Sequence, residues 1–248
     1  VARFTTAGAL DTTYNTTGTK LITNVGDFSG TGSSGDIAAG VLIDTANSNK
    51  IVLAGQGQVA KGGGNSNINF GVSRDASNGS GTPSSSTIAF PANNDDVGTC
   101  VAIDSSNRVV MGGYSGSAPK FGVVRLQDNS NTKDTNFNGG AAYSFSIGNA
   151  GTKDDRAYAI AVDSSNRIFL AGKAKNSNNL YDFAIARVTA AGALDTTFNS
   201  TGHKTITVTA SVDNIAKAIK IDSSGKVVMA GITTLSGNTA IAITRIWP

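Results

Sequence analysis

Residues 154–172 read DDRAYAIAVDSSNRIFLAG, and the chain contains this pattern four times. The other copies are GDIAAGVLIDTANSNKIVLAG at 35–55, DDVGTCVAIDSSNRVVMGG at 95–113 and DNIAKAIKIDSSGKVVMAG at 213–231. Their anchoring aspartates, Asp44, Asp104, Asp163 and Asp222, stand 60, 59 and 59 residues apart. A fixed period of this size marks a repeat architecture, in which each unit buries its apolar face against its neighbours. Each copy alternates before the Asp: Val101 and Ile103, Ile160 and Val162, and Ile219 and Ile221 share one face, with small or polar residues between them. That is the period of a strand with one buried face. After the Asp comes an apolar run, IVL at 51–53, VVM at 109–111, IFL at 168–170 and VVM at 227–229, which fits a strand covered on both faces.

A tight polar turn joins the two strands. Asn107, Asn166 and Gly225 share one of its columns, and Gly and Asn are the residues that best accept a left-handed backbone. The Asp ahead of them can bond the N–H groups of the turn, so the four aspartates are read as turn makers rather than metal ligands or catalytic acids. The first unit carries two extra residues, TANSNK, and its turn is expected to be looser.

A second element recurs. VARFTTAGALDTTYNTTGTK at 1–20 returns as IARVTAAGALDTTFNSTGHK at 185–204, and in degraded form as VVRLQDNSNTKDTNFNGG at 123–140. Each copy is a strand with an Arg, a polar loop of about a dozen residues, and an entry strand: KLITNV (20–25), TIAF (87–90), AYSFSI (142–147) and KTITVT (204–209). The column Arg3, Arg74, Arg125, Arg187 and Arg245 is read as structural pairs or surface charge. Asp11, Asp134 and Asp195, each followed by an aromatic and Asn, are read as Asx-type turns with an aromatic plug; a calcium loop would need denser oxygen ligands.

Four strands per unit predict an all-β, β-propeller-like array of four four-stranded blades, about 59 residues each. The units fall near 5–74, 75–126, 127–188 and 189–248 of a single repeat domain spanning 1–248. The Ala-Gly or Gly-Gly that ends each second hairpin strand is expected where blades crowd toward an axis. The Arg-bearing strand occurs five times and the other types four times, so Val1–Phe4 is a surplus strand expected to pair beyond the chain, with a neighbouring copy or as the remnant of a preceding blade. The hairpin core and the G-A-L-D-T-T-F-N connector together resemble the delta-60 repeat family of bacterial surface and secreted proteins. The resemblance implies a propeller-like fold and carries no agreed catalytic residues.

Composition narrows the function. The chain has 248 residues, 39% hydrophobic and 15% charged, enough for one sizeable core. Its net charge is +3 with no basic cluster suited to nucleic acid, and no apolar run approaches the roughly 20 residues of a membrane helix. Sparse charge, abundant Ser, Thr, Asn and Gly, and the absence of a starting Met suggest a secreted or cell-surface product, processed or cut from something longer. The one cysteine, Cys100, sits in a small-residue column and is read as a buried thiol; the one histidine, His203, is read as a solvated loop residue. No cofactor or metal is expected.

The expected role is non-enzymatic: adhesion, ligand binding or assembly through blade loops and strand edges, with a protein, a carbohydrate or further copies of the chain as partner. The alternatives are a structural subunit of a surface layer or fibre, and a propeller-type hydrolase or lyase. The loops that break the repeat are GQVAKGGGNSNIN (57–69), YSGSAPK (114–120) and KAKNSNNLYD (173–182). From them come the candidate binding residues Tyr114, Lys120, Lys175, Asn178 and Tyr181, since an aromatic flanked by amides and a lysine can stack on and hydrogen-bond a sugar or peptide.

Overall fold

The computed structural model describes residues 1–22, 36–60, 66–91, 94–148 and 154–247. The chain is all-β, with four antiparallel sheets in sequence order. The first holds β1 (Ile37–Asp44), β2 (Lys50–Ala60), β3 (Ser66–Asp75) and β4 (Ser84–Ile88). The second holds β5 (Asp96–Ile103), β6 (Val109–Ser115), β7 (Lys120–Arg125) and β8 (Tyr143–Phe145). The third holds β9 (Arg156–Val162), β10 (Ile168–Lys175), β11 (Tyr181–Val188) and β12 (His203–Ile206). The fourth holds only β13 (Ile215–Ile221), β14 (Val227–Leu235) and β15 (Asn238–Ile246). Among the described residues three sheets have the expected four strands and the last has three; residues 23–25 of the expected entry strand 20–25 lie outside the described residues.

The hairpins form as the sequence pattern predicts. Asn107 and Asn166 take φ of 59° and Gly225 takes 76°, the left-handed region. Asp104 accepts the N–H groups of Ser106 (2.9 Å) and Arg108 (3.0 Å), and Asp163 and Asp222 repeat the arrangement. The two extra residues of the first unit widen its turn into a 3-10 segment, Thr45–Asn47, followed by left-handed Ser48 and Asn49.

The entry strand joins the sheet of the unit before its own. β4 pairs with β3, β8 with β7 and β12 with β11. The connector turns the chain back on itself: Asp134 and Asp195 donate their N–H groups to Arg125 O and Arg187 O, so the strand leaving the loop returns beside the strand that entered it. Each connector is locked by the Arg column. Arg125 Nε bonds Asp134 at 2.8 Å and its guanidinium lies 4.9 Å from the centre of the buried Phe137 ring. Arg3 with Asp11 and Tyr14, and Arg187 with Asp195 and Phe198, repeat this triad. Arg74 and Arg245 pair instead with the turn aspartates Asp44 and Asp222.

The core lies between sheets. Along β10, Ile168 and Leu170 point at the second sheet while Phe169 and Ala171 point at the fourth, which is why the run is apolar throughout. Fully burying such a side chain contributes about 1.5–3 kcal/mol. The glycine that ends each second hairpin strand answers a different need from the one expected. A Cβ on Gly55, Gly113, Gly172 or Gly231 would lie 1.9–2.0 Å from the carbonyl oxygen of Ile37, Val97, Arg156 or Ile215. Those residues stand at or next to the start of the partner strand of the same sheet, beside a β-bulge, so the crowding is within the sheet. Between sheets Gly98 also sits close, since its Cβ would stand 2.0 Å from Gly55 O.

Val1–Phe4 is not a free strand. Ala2 bridges Thr19 and Phe4 bridges Leu10, and the segment is folded onto its own connector. His203, expected in a loop, opens β12 and is half-buried; burial lowers its pKa. No helix among the described residues is long and apolar enough to cross a membrane.

Candidate functional site

The site grows from one broken hydrogen bond in the repeat. Asp95 of the second sheet accepts the N–H of Ile68 in the first at 2.9 Å, and Asp213 of the fourth accepts the N–H of Tyr181 in the third at 2.9 Å. Each carboxylate thereby staples its blade to the third strand of the blade before. The corresponding carboxylate of the third sheet is Asp154, and the residue it should staple is Pro119, six positions before Arg125 as Ile68 and Tyr181 are before Arg74 and Arg187. The neighbouring main-chain bonds keep the register: Asp155 N–H donates to Pro119 O as Asn214 N–H donates to Tyr181 O. Proline has no N–H, so Asp154 is released from the staple.

The freed carboxylate is taken up by side chains that also break the repeat. Arg156 Nε reaches Asp154 at 2.6 Å, where the other units have Ile37, Val97 and Ile215. Lys173 Nζ stands 3.5 Å from Asp154, in a column otherwise holding Gln56, Tyr114 and Ile232. The Tyr181 hydroxyl donates to the same Asp154 oxygen. Cations cover the rings: Arg156 lies 4.8 Å from the centre of Tyr114, Lys173 3.5 Å and Lys175 5.7 Å from that of Tyr181, and Lys217 of the fourth sheet 4.1 Å from that of Tyr158. Such contacts contribute about 0.5–1 kcal/mol each near the surface and more when desolvated.

The electrostatics follow from this packing. Burial raises the Asp154 carboxyl, but the Tyr181 hydroxyl, Arg156 and Lys173 outweigh it and hold it below the ordinary carboxylate value. Burial, then the bond to Asp154, pushes Tyr181 up to about 12. Burial depresses the Lys173 ammonium, which Asp154 only partly restores. The assembly is a partly desolvated ionic cluster of both signs, with Asp213 also acting on Lys173 and Tyr181.

Of the residues expected from sequence, Tyr114, Lys175 and Tyr181 belong to this cluster. Lys120 opens β7 opposite Ser115 and makes no ion pair among the described residues. Asn178 is exposed at the tip of the Asn176–Leu180 turn, its N–H bonded to Asn176 Oδ1. These segments are also less loop-like than expected. Tyr114, Lys120, Lys173, Lys175 and Tyr181 all lie at strand ends, and of 57–69 only residues 61–65 fall outside both the described residues and the strands β2 and β3. Cations of the protein already lie over the Tyr114 and Tyr181 rings. Asp154, Arg156, Tyr158 and Lys173 were missed. Column-by-column departure from the repeat, Pro119 above all, is the signal that finds them.

Among the described residues no three His, Cys, Asp or Glu side chains stand close enough to hold a metal ion. Cys100 is half-buried, and burial pushes its thiol up to about 12.

Residues 164–198 match the profile of the family described as "Domain of unknown function (DUF5122) beta-propeller". A search of curated proteins returns no match. Among solved structures, a protein of unknown function from Dyadobacter fermentans DSM 18053 aligns with a TM-score of 0.51 at 15% identity, over 84% of this chain and 65% of its own. A putative gluconolactonase aligns at 11% identity with a TM-score of 0.38, over 87% and 80% of the two chains. A glycosyl hydrolase from Bacteroides ovatus aligns at 11% identity with a TM-score of 0.25, over 80% and 81%. The short family match and the four serial antiparallel sheets agree on an all-β chain similar to β-propellers.

Proposed function

We propose that this chain is a non-enzymatic binding module of a secreted or surface protein, and that the Asp154–Arg156–Lys173–Tyr181 cluster takes a ligand bearing a carboxylate, on a sugar or on a peptide. The observation that carries the reading is the release of Asp154 by Pro119. One position of a symmetric scaffold has given up a structural bond, and non-repeating charged and aromatic residues have gathered there. Arg156 and Lys173 stand against Asp154 and Lys175 lies over the Tyr181 ring, so an incoming anion finds cations already partly stripped of water. Acid–base chemistry is disfavoured by the same geometry. Asp154 is held ionised and Tyr181 is held protonated, and neither sits near neutral pH, where a proton-transfer group works best.

Calorimetric titration with oligogalacturonate and, separately, with an oligoglutamate peptide tests the reading. One of the two is expected to bind, with Arg156→Ala and Lys175→Ala each weakening it about tenfold, the loss of one charge-assisted contact. Which probe binds separates the sugar from the peptide source. Absence of binding by both, or binding that both variants leave intact, overturns the proposal.

A further inference from the structure

Asp96, Asp155 and Asn214 hold one column of the repeat, each directly after Asp95, Asp154 or Asp213. Two of the three have every polar atom partnered. Asp155 Oδ2 accepts the N–H groups of Ile147 (2.7 Å) and Gly148 (3.1 Å), and its Oδ1 accepts that of Lys175 (3.3 Å). Asn214 Oδ1 accepts from Thr209 N (3.0 Å) and Thr233 Oγ1 (2.7 Å), and its Nδ2 donates to the carbonyl oxygens of Thr209 and Val212, both at 3.0 Å. Asp96 differs. It is 1% exposed, and its Oδ2 accepts the N–H of Phe90 at 2.9 Å, as Asn214 Oδ1 accepts that of Thr209. Its Oδ1 is buried with no hydrogen-bond partner among the described residues. That oxygen stands where Asn214 carries its amide nitrogen, a donor.

A buried carboxylate oxygen without a donor is costly, and no neighbouring cation offsets it. Asp95 is itself an acid, and its charge acts against ionisation. On β6, Ser115 stands opposite Asp96 and its hydroxyl favours the ionised form; Lys120 of β7, beyond Ser115 in the ladder, makes no ion pair among the described residues. The other charges on the strands packed here are engaged elsewhere: Asp44 of β1 with Arg74 of β3, Asp75 of β3 with Lys20, and Arg156 of β9 with Asp154, while β4 carries none. Burial raises the carboxyl by more than the Phe90 N–H and Ser115 lower it. The site is also a junction between sheets. Phe90 follows β4 of the first sheet and packs edge-on against Phe70 of β3, 4.8 Å between ring centres, while Asp96 opens β5 of the second.

We propose that Asp96 carries a proton in the folded chain and that this proton is a latch between the first two sheets. With the proton, Oδ1 is a donor, as the Asn214 amide is. Its loss draws water to the contact between Phe90 and Asp96 and loosens the second sheet from the first. The folded chain holds this proton more tightly than the unfolded one. The latch is therefore complete below the unfolded Asp value of about 3.9 and is lost as pH rises through the higher native value.

Asp96→Asn tests this, since it puts a permanent donor where the proton would be and is the residue that the fourth sheet already uses. The difference between wild type and Asp96→Asn in urea melts cancels every titration the two chains share. The two are expected to be equally stable near about pH 4. At about pH 8 the folding equilibrium of Asp96→Asn is expected to exceed that of wild type about tenfold or more, the effect of one pKa unit or more. Two further readouts need only the wild type, so they decide the matter even where the variant fails to fold. An infrared carbonyl band of a protonated carboxyl is expected at about pH 5, where exposed aspartates are ionised. Hydrogen exchange at the Phe90 amide, corrected for its intrinsic pH dependence, is expected to quicken as that band disappears. An Asp96→Asn chain no more stable than wild type at about pH 8 overturns the proposal. So does a wild type with no such band at about pH 5, or Phe90 exchange indifferent to its loss.

Discussion

Replacing Asn166 separates two jobs that one side chain performs. Its backbone is left-handed, with φ of 59°, and its Oδ1 accepts hydrogen bonds from Ser105 N (2.9 Å) and Ser105 Oγ (2.8 Å) in the turn of the neighbouring blade. Asn107 has the same φ of 59° but makes no such bridge among the described residues. Glycine keeps the left-handed backbone and removes the bridge. With roughly 0.5–1.5 kcal/mol net per hydrogen bond, and values near the lower end at this exposed site, Asn166→Gly is expected to cost about 1–2 kcal/mol. Asn107→Gly is expected to stay within about 0.5 kcal/mol of wild type. Asn166→Val loses the same bridge and adds about 1–2 kcal/mol for a β-branched residue in a left-handed position. At about 2–4 °C of melting temperature per kcal/mol for a chain of this size, the order Asn107→Gly, Asn166→Gly, Asn166→Val should be resolved by calorimetry. Equal melting temperatures for the two glycine variants would refute the bridge, and equal values for Asn166→Gly and Asn166→Val would refute the backbone argument.

Other outcomes follow from contacts already described. Gly172→Ala drives a methyl to 1.9 Å from Arg156 O, a backbone atom that cannot swing away, and should cost about 3 kcal/mol or more in denaturant melts. Cys100, its thiol pushed up to about 12, should be inert to a disulfide reagent at pH 8 and react only on unfolding. For Asp134 and Asp195, burial raises the carboxyl but hydrogen bonds and the paired arginine hold it below the ordinary value. Their contribution is full above the unfolded Asp value of about 3.9 and fades as pH falls through the lower native one, so urea midpoints should drop below about pH 4 and by less in Arg125→Met. Elemental analysis of the purified chain should find no zinc or calcium held one per chain.

The repeat made the hairpins, their left-handed turns and the Arg–Asp–aromatic connectors legible, because each rests on local chemistry repeated in fixed columns. Sheet membership was not legible. That β12 pairs with β11 rather than with β9 or β13 depends on how the connector folds back, and period-two alternation says nothing about which edge a strand joins. Loop boundaries misled for a related reason. Lys173, Lys175 and Tyr181 are polar, yet they belong to β10 and β11, Lys175 opposite Tyr181 and Lys173 buried beside the core residue Ala174. The bridge from Asn166 to Ser105 is a contact between units, which a within-unit reading does not see, whereas the bonds of Asp154 to Arg156, Lys173 and Tyr181 lie within the third unit and join residues that depart from the repeat.

Pro119 changes how the individuality of one blade should be understood. A repeat protein diversifies most visibly by gaining a loop or a new side chain. Here one blade-like unit differs from the others by a single hydrogen, the amide proton that Asp154 would otherwise hold. The same carboxylate is present, still occupied, at Asp95 and Asp213. A proline at position 68 or 181 would remove the N–H that Asp95 or Asp213 accepts. In such an array the carboxylates that join neighbouring sheets are held by main-chain N–H groups, and the residue type at one position decides whether each is held.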